Sequence, residues 1–82
     1  MEIYVLTIKK EGSDLVNVCA FTSREKAVDF AMNHVFELYN YGNEIDAQTR
    51  ARVERVFRDE MKRRNAATKN KRVYAITSTN LA

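Results

Sequence analysis

The sequence predicts an α+β domain of order ββααβ, with a three-stranded, mainly antiparallel sheet and two helices packed on one face. Three observations predict it. β-branched and aromatic runs stand near both ends of the chain, at residues 3–8 and 73–77. A polar turn, Glu11-Gly12-Ser13-Asp14, separates the first run from a second one. Between residues 22 and 64 the apolar spacing changes from two to 3.6, the change from strand to helix. Eighty-two residues make a single domain, 1–82.

The first strand is Ile3 to Ile8. Ile3, Val5 and Thr7 point one way and Tyr4, Leu6 and Ile8 the other. Both rows are largely apolar, which predicts a central strand, or one covered on both sides. Leu15 to Phe21 follows the turn as the second strand of an antiparallel hairpin. Thr22-Ser23-Arg24-Glu25 has capping-box spacing, with the Thr22 hydroxyl accepting from the amide of Glu25.

The helix that follows runs to about Tyr39. Ala27, Val28, Phe30, Ala31, His34, Val35, Leu38 and Tyr39 form its apolar stripe. Met32 and Phe36 fall away from the centre of that stripe. With Tyr39 and Tyr41 they make a candidate apolar interface for a partner or a homodimer. Gly42 is placed to end the helix in a left-handed conformation. Asn43 is placed to cap a second helix that reaches about Arg64, with a narrow stripe of Ile45, Val53, Val56, Phe57 and Met61. Glu54–Arg58, Asp59–Arg63 and Glu60–Arg64 are acid-first pairs at i,i+4 spacing. Residues 65–70 read as a polar loop, and Arg72 to Thr79 as the last strand.

Charge is distributed unevenly. Six acids outnumber four cations in residues 1–41, whereas ten cations outnumber five acids in residues 42–82. Lys62, Arg63, Arg64, Lys69, Lys71 and Arg72 fall within eleven residues that contain no acid. With Arg55 and Arg58 they form a candidate basic ridge for an acidic protein surface or a nucleic acid. Arg63 and Arg64 have helical acid partners, and a helix C-terminus favours cations in any case. The functional expectation therefore narrows to Lys69, Lys71 and Arg72. Six phosphate contacts on a duplex would give a log–log salt slope of about −5. Tyr74 and Asn70 are the residues close enough to stack on or read a base.

No pattern in the chain specifies a reaction. His34, the single histidine, sits in the apolar stripe without an orienting partner at hand, and reads as a packed side chain. Cys19 is alone, so it forms neither an intrachain disulfide nor a thiolate cage, and it reads as a small buried hydrophobe. Gly12 and Gly42 are isolated and make no phosphate loop. No metal or cofactor is expected, and no enzymatic activity. The start Met1-Glu2-Ile3-Tyr4 lacks the features of a secretory signal, and no segment has the length of a membrane span. The expected setting is reducing and cytoplasmic.

Ile3-Tyr4-Val5-Leu6-Thr7-Ile8, a short turn, and Val18-Cys19-Ala20-Phe21-Thr22-Ser23-Arg24-Glu25-Lys26-Ala27 resemble small, mostly uncharacterised proteins of bacteriophages, large DNA viruses and bacteria. Those proteins share a hairpin followed by a Phe-Thr/Ser-x-x-Glu-Lys-Ala helix start. Val73-Tyr74-Ala75-Ile76 is similar to their last strand. The resemblance implies a ββα opening and supplies no catalytic residue. Together with the residue-level reading it leads to the expectation of a small non-enzymatic binding or regulatory protein. Such a protein would be a viral accessory protein acting by protein–protein contact, with nucleic-acid binding as the alternative.

Overall fold

The computed structural model describes residues 1–39 and 46–80, the side chains of Leu38 and Tyr39 excepted. Its elements are β1 (Glu2–Lys10), β2 (Val16–Phe21), α1 (Arg24–Tyr39), α2 (Ala47–Arg64), β3 (Ala66–Lys69) and β4 (Arg72–Asn80). The strands form one antiparallel sheet in the order β2-β1-β4-β3. The α+β class holds, but the sheet has four strands, because residues 66–69 of the expected loop form β3. That segment has little strand signal of its own. It is held by its pairing with β4, where Ala67 stands opposite Tyr74 and Lys69 opposite Arg72. β1 is central as expected and shares the middle of the sheet with β4.

The core lies between one sheet face and the two helices. Leu6 pairs with Ile76, and Ile8 with Tyr74. All four side chains are buried, together with Ala67 of β3. From α1 come two adjacent rows, Ala27-Ala31-Val35 and Val28-Met32-Phe36, and from α2 come Phe57 and Met61. Met32 and Phe36, expected at the surface, are 3% and 4% exposed. The reason is that α1 packs on two neighbours, so its apolar arc is wider than a sheet alone requires. The guanidinium of Arg50 in α2 lies 4.1 Å from the centre of the Phe36 ring and closes that row from outside. Phe30, expected within the stripe, is instead 42% exposed at its margin, tilted against Phe21 at 5.4 Å.

Among the described residues the opposite face of the sheet has no helix on it, so of the two readings of β1 the central position holds and cover on both sides does not. Val5, Thr7 and Lys9 of β1 stand beside Ala20, Val18 and Val16 of β2 on that face. Across β1 the row continues into Thr77, Ala75 and Val73 of β4. Ala66 and Thr68 complete it on β3. Apart from Lys9, the row contains no ionisable side chain.

The helix ends are set locally. Ser23, not Thr22, caps α1, its hydroxyl accepting from the amide of Lys26 at 3.1 Å. Asp46 caps α2 and accepts from the amide of Thr49 at 2.7 Å, so the start expected at Asn43 moves to Ala47. Asn43 and Gly42 lie outside the described residues. At the other end of α2, Asn65 adopts φ 53° and returns its amide to the Met61 carbonyl. Arg24 from the start of α1 reaches the same turn and donates to Met61 O and Asn65 Oδ1. A cation from elsewhere in the fold thus satisfies a carbonyl at the negative end of α2. No helix among the described residues is long and apolar enough to cross a membrane.

Candidate functional site

Strand register gathers cations that are far apart in sequence. Lys10 is paired with Arg72, Lys9 with Val73, and Lys69 with Arg72. The amide of Glu11 donates to the Lys71 carbonyl at 2.7 Å, tying the β1–β2 turn to the β3–β4 turn. Lys9, Lys10, Lys69, Lys71 and Arg72 therefore come to one end of the sheet, Lys9 on the open face and Lys10, Lys69 and Arg72 on the helix-facing row. Lys9, Lys10 and Lys71 are exposed, and Lys69 and Arg72 are half-buried. A shallow concavity there is lined by Lys9, Lys71, Thr68, Val73, Gly12 and Glu11. Glu11 is the one carboxylate in its wall.

The β3–β4 turn carries Asn70 at φ 53° and Lys71 at φ 60°. Two successive left-handed residues make the type I′ connection that matches the twist of antiparallel strands, and the second position ordinarily favours Gly. Asn tolerates this region, whereas a lysine there costs roughly 1 kcal/mol or more. The turn thus holds an exposed cation at its tip under backbone strain. Arg72 steadies it by donating to the Asn70 carbonyl at 3.1 Å. The amide nitrogen of the Asn70 side chain is buried without a protein partner.

The basic ridge expected over 62–72 is not continuous. The four residues of β3 put about 13 Å of strand between the end of α2 and the cationic sheet end. Within α2, Arg58 donates to Asp29 of α1 at 2.8 Å and to Glu54 at 3.0 Å, and Arg63 pairs with Asp59. Glu60 and Arg64 do not pair. Arg55, Lys62 and Arg64 are exposed on the helix. Of the expected ridge, the structure joins Lys69, Lys71 and Arg72 to Lys9 and Lys10. It leaves Arg55, Arg58, Lys62, Arg63 and Arg64 on a separate surface.

Tyr74 cannot stack on a ligand base, because it is fully buried. Its ring meets Phe57 edge-on at 5.3 Å and His34 at 5.6 Å. Its hydroxyl lies 2.8 Å from Nδ1 of His34. Burial pushes the Tyr74 phenol up to about 12, so the hydroxyl stays protonated. Burial, aided by the Arg72 charge, lowers the His34 pKa and favours the neutral ring, which shares one proton with the Tyr74 hydroxyl across this contact. Each ring satisfies the other's polar atom at the edge of the core. Cys19 is half-buried on the helix-facing row of β2, opposite Leu6. Among the described residues, no group of three His, Cys, Asp or Glu side chains is placed to hold a metal ion.

Met32 and Phe36 belong to the core and present no interface. The Tyr39 side chain and Tyr41, the other members of that expected surface, lie outside what the structure describes. Lys9 and Lys10 escaped the sequence reading because they stand in the more acidic half of the chain. Only the β1–β4 register places them beside Arg72. No family model matches this chain, and no curated protein or solved structure matches it.

Proposed function

We propose that this chain is a small non-enzymatic binding protein whose cationic sheet end docks on an acidic protein surface. One observation carries the reading. The end of β1 and the β3–β4 hairpin, two segments far apart in sequence, bring Lys9, Lys10, Lys69, Lys71 and Arg72 to the same end of the sheet, with an exposed lysine held at a strained turn position. Side chains drawn from the ends of packed strands are positioned more rigidly than those on a free tail, which suits recognition of a fixed pattern of carboxylates. His34 and Cys19 are better explained by packing than by chemistry. The opening that resembles small phage and large-DNA-virus proteins favours an accessory role of the viral kind.

Nucleic acid is the second reading, supported by the same cations. With Tyr74 buried, it is limited to phosphate contact without base stacking, and five such contacts on a duplex give a salt slope of about −4.5. Parallel titrations against an oligo-aspartate peptide and a duplex oligonucleotide separate the two. The leading reading expects saturable binding to the peptide that a Lys10→Glu, Lys71→Glu variant loses while its circular dichroism is unchanged. Tighter binding to the duplex, with the slope just given, would favour the second. Binding of both probes that is indifferent to those substitutions would remove the cationic end from consideration.

A further inference from the structure

We propose that the open face of the sheet is the contact between two copies of this chain, stacked face to face as a β-sandwich. In a lone antiparallel sheet the solvent face carries polar or charged side chains. Here it carries Val16, Val18 and Val73, which are 46%, 64% and 42% exposed, set among Thr and Ala. The strands are 9, 6, 4 and 9 residues long. At roughly 16 Å² of sheet per residue the face spans about 450 Å². That is the size of the largest patches monomers leave open, about 300–600 Å², although threonines and Lys9 make part of it polar. Two copies would cover about 900 Å² between them, just below the 1,000 Å² or so expected of a stable specific interface, the range of a weak and reversible contact.

Charge and shape both point to a second copy as the occupant. The strands contribute one cation to the face, Lys9, and no carboxylate, with Glu11 and Lys71 beside it only at that end, so the middle of the face offers an oppositely charged partner little to read. An identical face is equally neutral and has the same twist, the condition for aligned packing at about 10 Å separation. Lys9 also selects the symmetry. A two-fold axis parallel to the strands would bring the two Lys9 ammonium groups to the same end. An axis across the strands sends them to opposite ends, at the rim and in solvent. The second arrangement keeps every ionic group out of the contact and displays the two cationic sheet ends on opposite sides of the dimer.

Sedimentation equilibrium on the full chain, from low micromolar to near-millimolar, tests this directly. The expected result is a reversible monomer–dimer equilibrium. Val18→Glu should raise its dissociation constant by about 100-fold or more, because two carboxylates would be buried without partners. Val73→Lys should act in the same direction. Both positions are solvent-facing in a single chain, so both variants should keep native circular dichroism. Leu15→Glu, an equally drastic change at a side chain 82% exposed just outside the sheet, should leave the equilibrium unchanged. A chain that stays monomeric over the whole range overturns the proposal. So does a dimer that survives both Val18→Glu and Val73→Lys, since its contact must then be elsewhere, such as the free edge of β2.

Discussion

The Tyr74 hydroxyl and Nδ1 of His34, forty residues apart in sequence, are 2.8 Å from each other at the boundary between sheet and α1. The pair sets two limits on pH stability. His34 has a lowered pKa in the fold, so its contribution is complete above its ordinary value near 6.5 and is lost as pH falls through the folded value. Tyr74 has a raised pKa, so its contribution is complete below about 10 and is lost as pH rises through about 12. Denaturant midpoints should therefore be level between about pH 7 and 10 as far as this pair is concerned, and should fall on both sides. Proton NMR titration of His34 should give a midpoint below that of a histidine in a short peptide. A midpoint above it would contradict the neutral ring.

Lys71→Gly should stabilise the fold. Gly adopts φ 60° without the Cβ clash that lysine meets there, and the Asn-Gly pair is favoured in this turn. A gain of about 1 kcal/mol is expected, which for a domain of this size is a rise in Tm of about 4–8 °C. The same variant should bind the acidic peptide more weakly. Opposite signs for stability and binding would show that the strain accompanies a functional charge. A loss of stability would mean that the lysine side chain contributes something the backbone geometry does not reveal.

Arg58 links the helices through Asp29, but it should add little to stability. The two side chains are 39% and 51% exposed, and the pair is open to screening. A double-mutant cycle with Arg58→Ala and Asp29→Ala should return a coupling below about 1 kcal/mol that declines in high salt. The pair then orients α1 against α2 more than it holds them together. A coupling of several kcal/mol that is insensitive to salt would require a drier contact than the one observed.

Phe36→Ala distinguishes core from surface. With the ring buried under Arg50, truncation should cost about 3–5 kcal/mol in a urea titration. That is a large share of the 5–15 kcal/mol or so that holds a small domain together. A surface phenylalanine would give a change within about 0.5 kcal/mol and a different oligomeric state.

Much of the fold was legible because the determining signals are local. The hairpin turn, the limits of α1 and the final strand follow from turn chemistry, capping residues and period. What was not legible depends on partners distant in sequence. β3 is two alanines, a threonine and a lysine, a segment that becomes a strand only because Tyr74 offers Ala67 a core to cover. Thr22 and Ser23 are both competent caps, and their order in the chain does not decide between them. Met32 and Phe36 were displaced from the expected surface by α2, whose Arg50 is invisible to any reading of α1 alone. The site was half legible for the same reason. Lys69, Lys71 and Arg72 are neighbours in sequence, whereas Lys9 and Lys10 join them only through the register of β1 against β4. The helical partners of Arg58 and Arg63 follow from i,i+4 spacing, whereas Asp29, the second partner of Arg58, is brought to it only by the packing of α1 on α2.

The sheet has two edges, and they are unequal. β3 is four residues long and has α2 packed against it, with Arg52 and Glu60 beside Thr68 and Lys69. β2 is six residues, Val-Asn-Val-Cys-Ala-Phe, with neither proline nor charge and, among the described residues, no strand beyond it. Growth of a sheet by strand addition needs a receptive edge at each end of every subunit, as a chain polymer needs a bifunctional monomer. This molecule has a valence of one in that sense. Should β2 edges meet at high concentration or during folding, each meeting consumes both sites. For a single chain the reaction ends at an eight-stranded pair instead of propagating into a fibre, whereas two chains stacked through their open faces would carry two such edges.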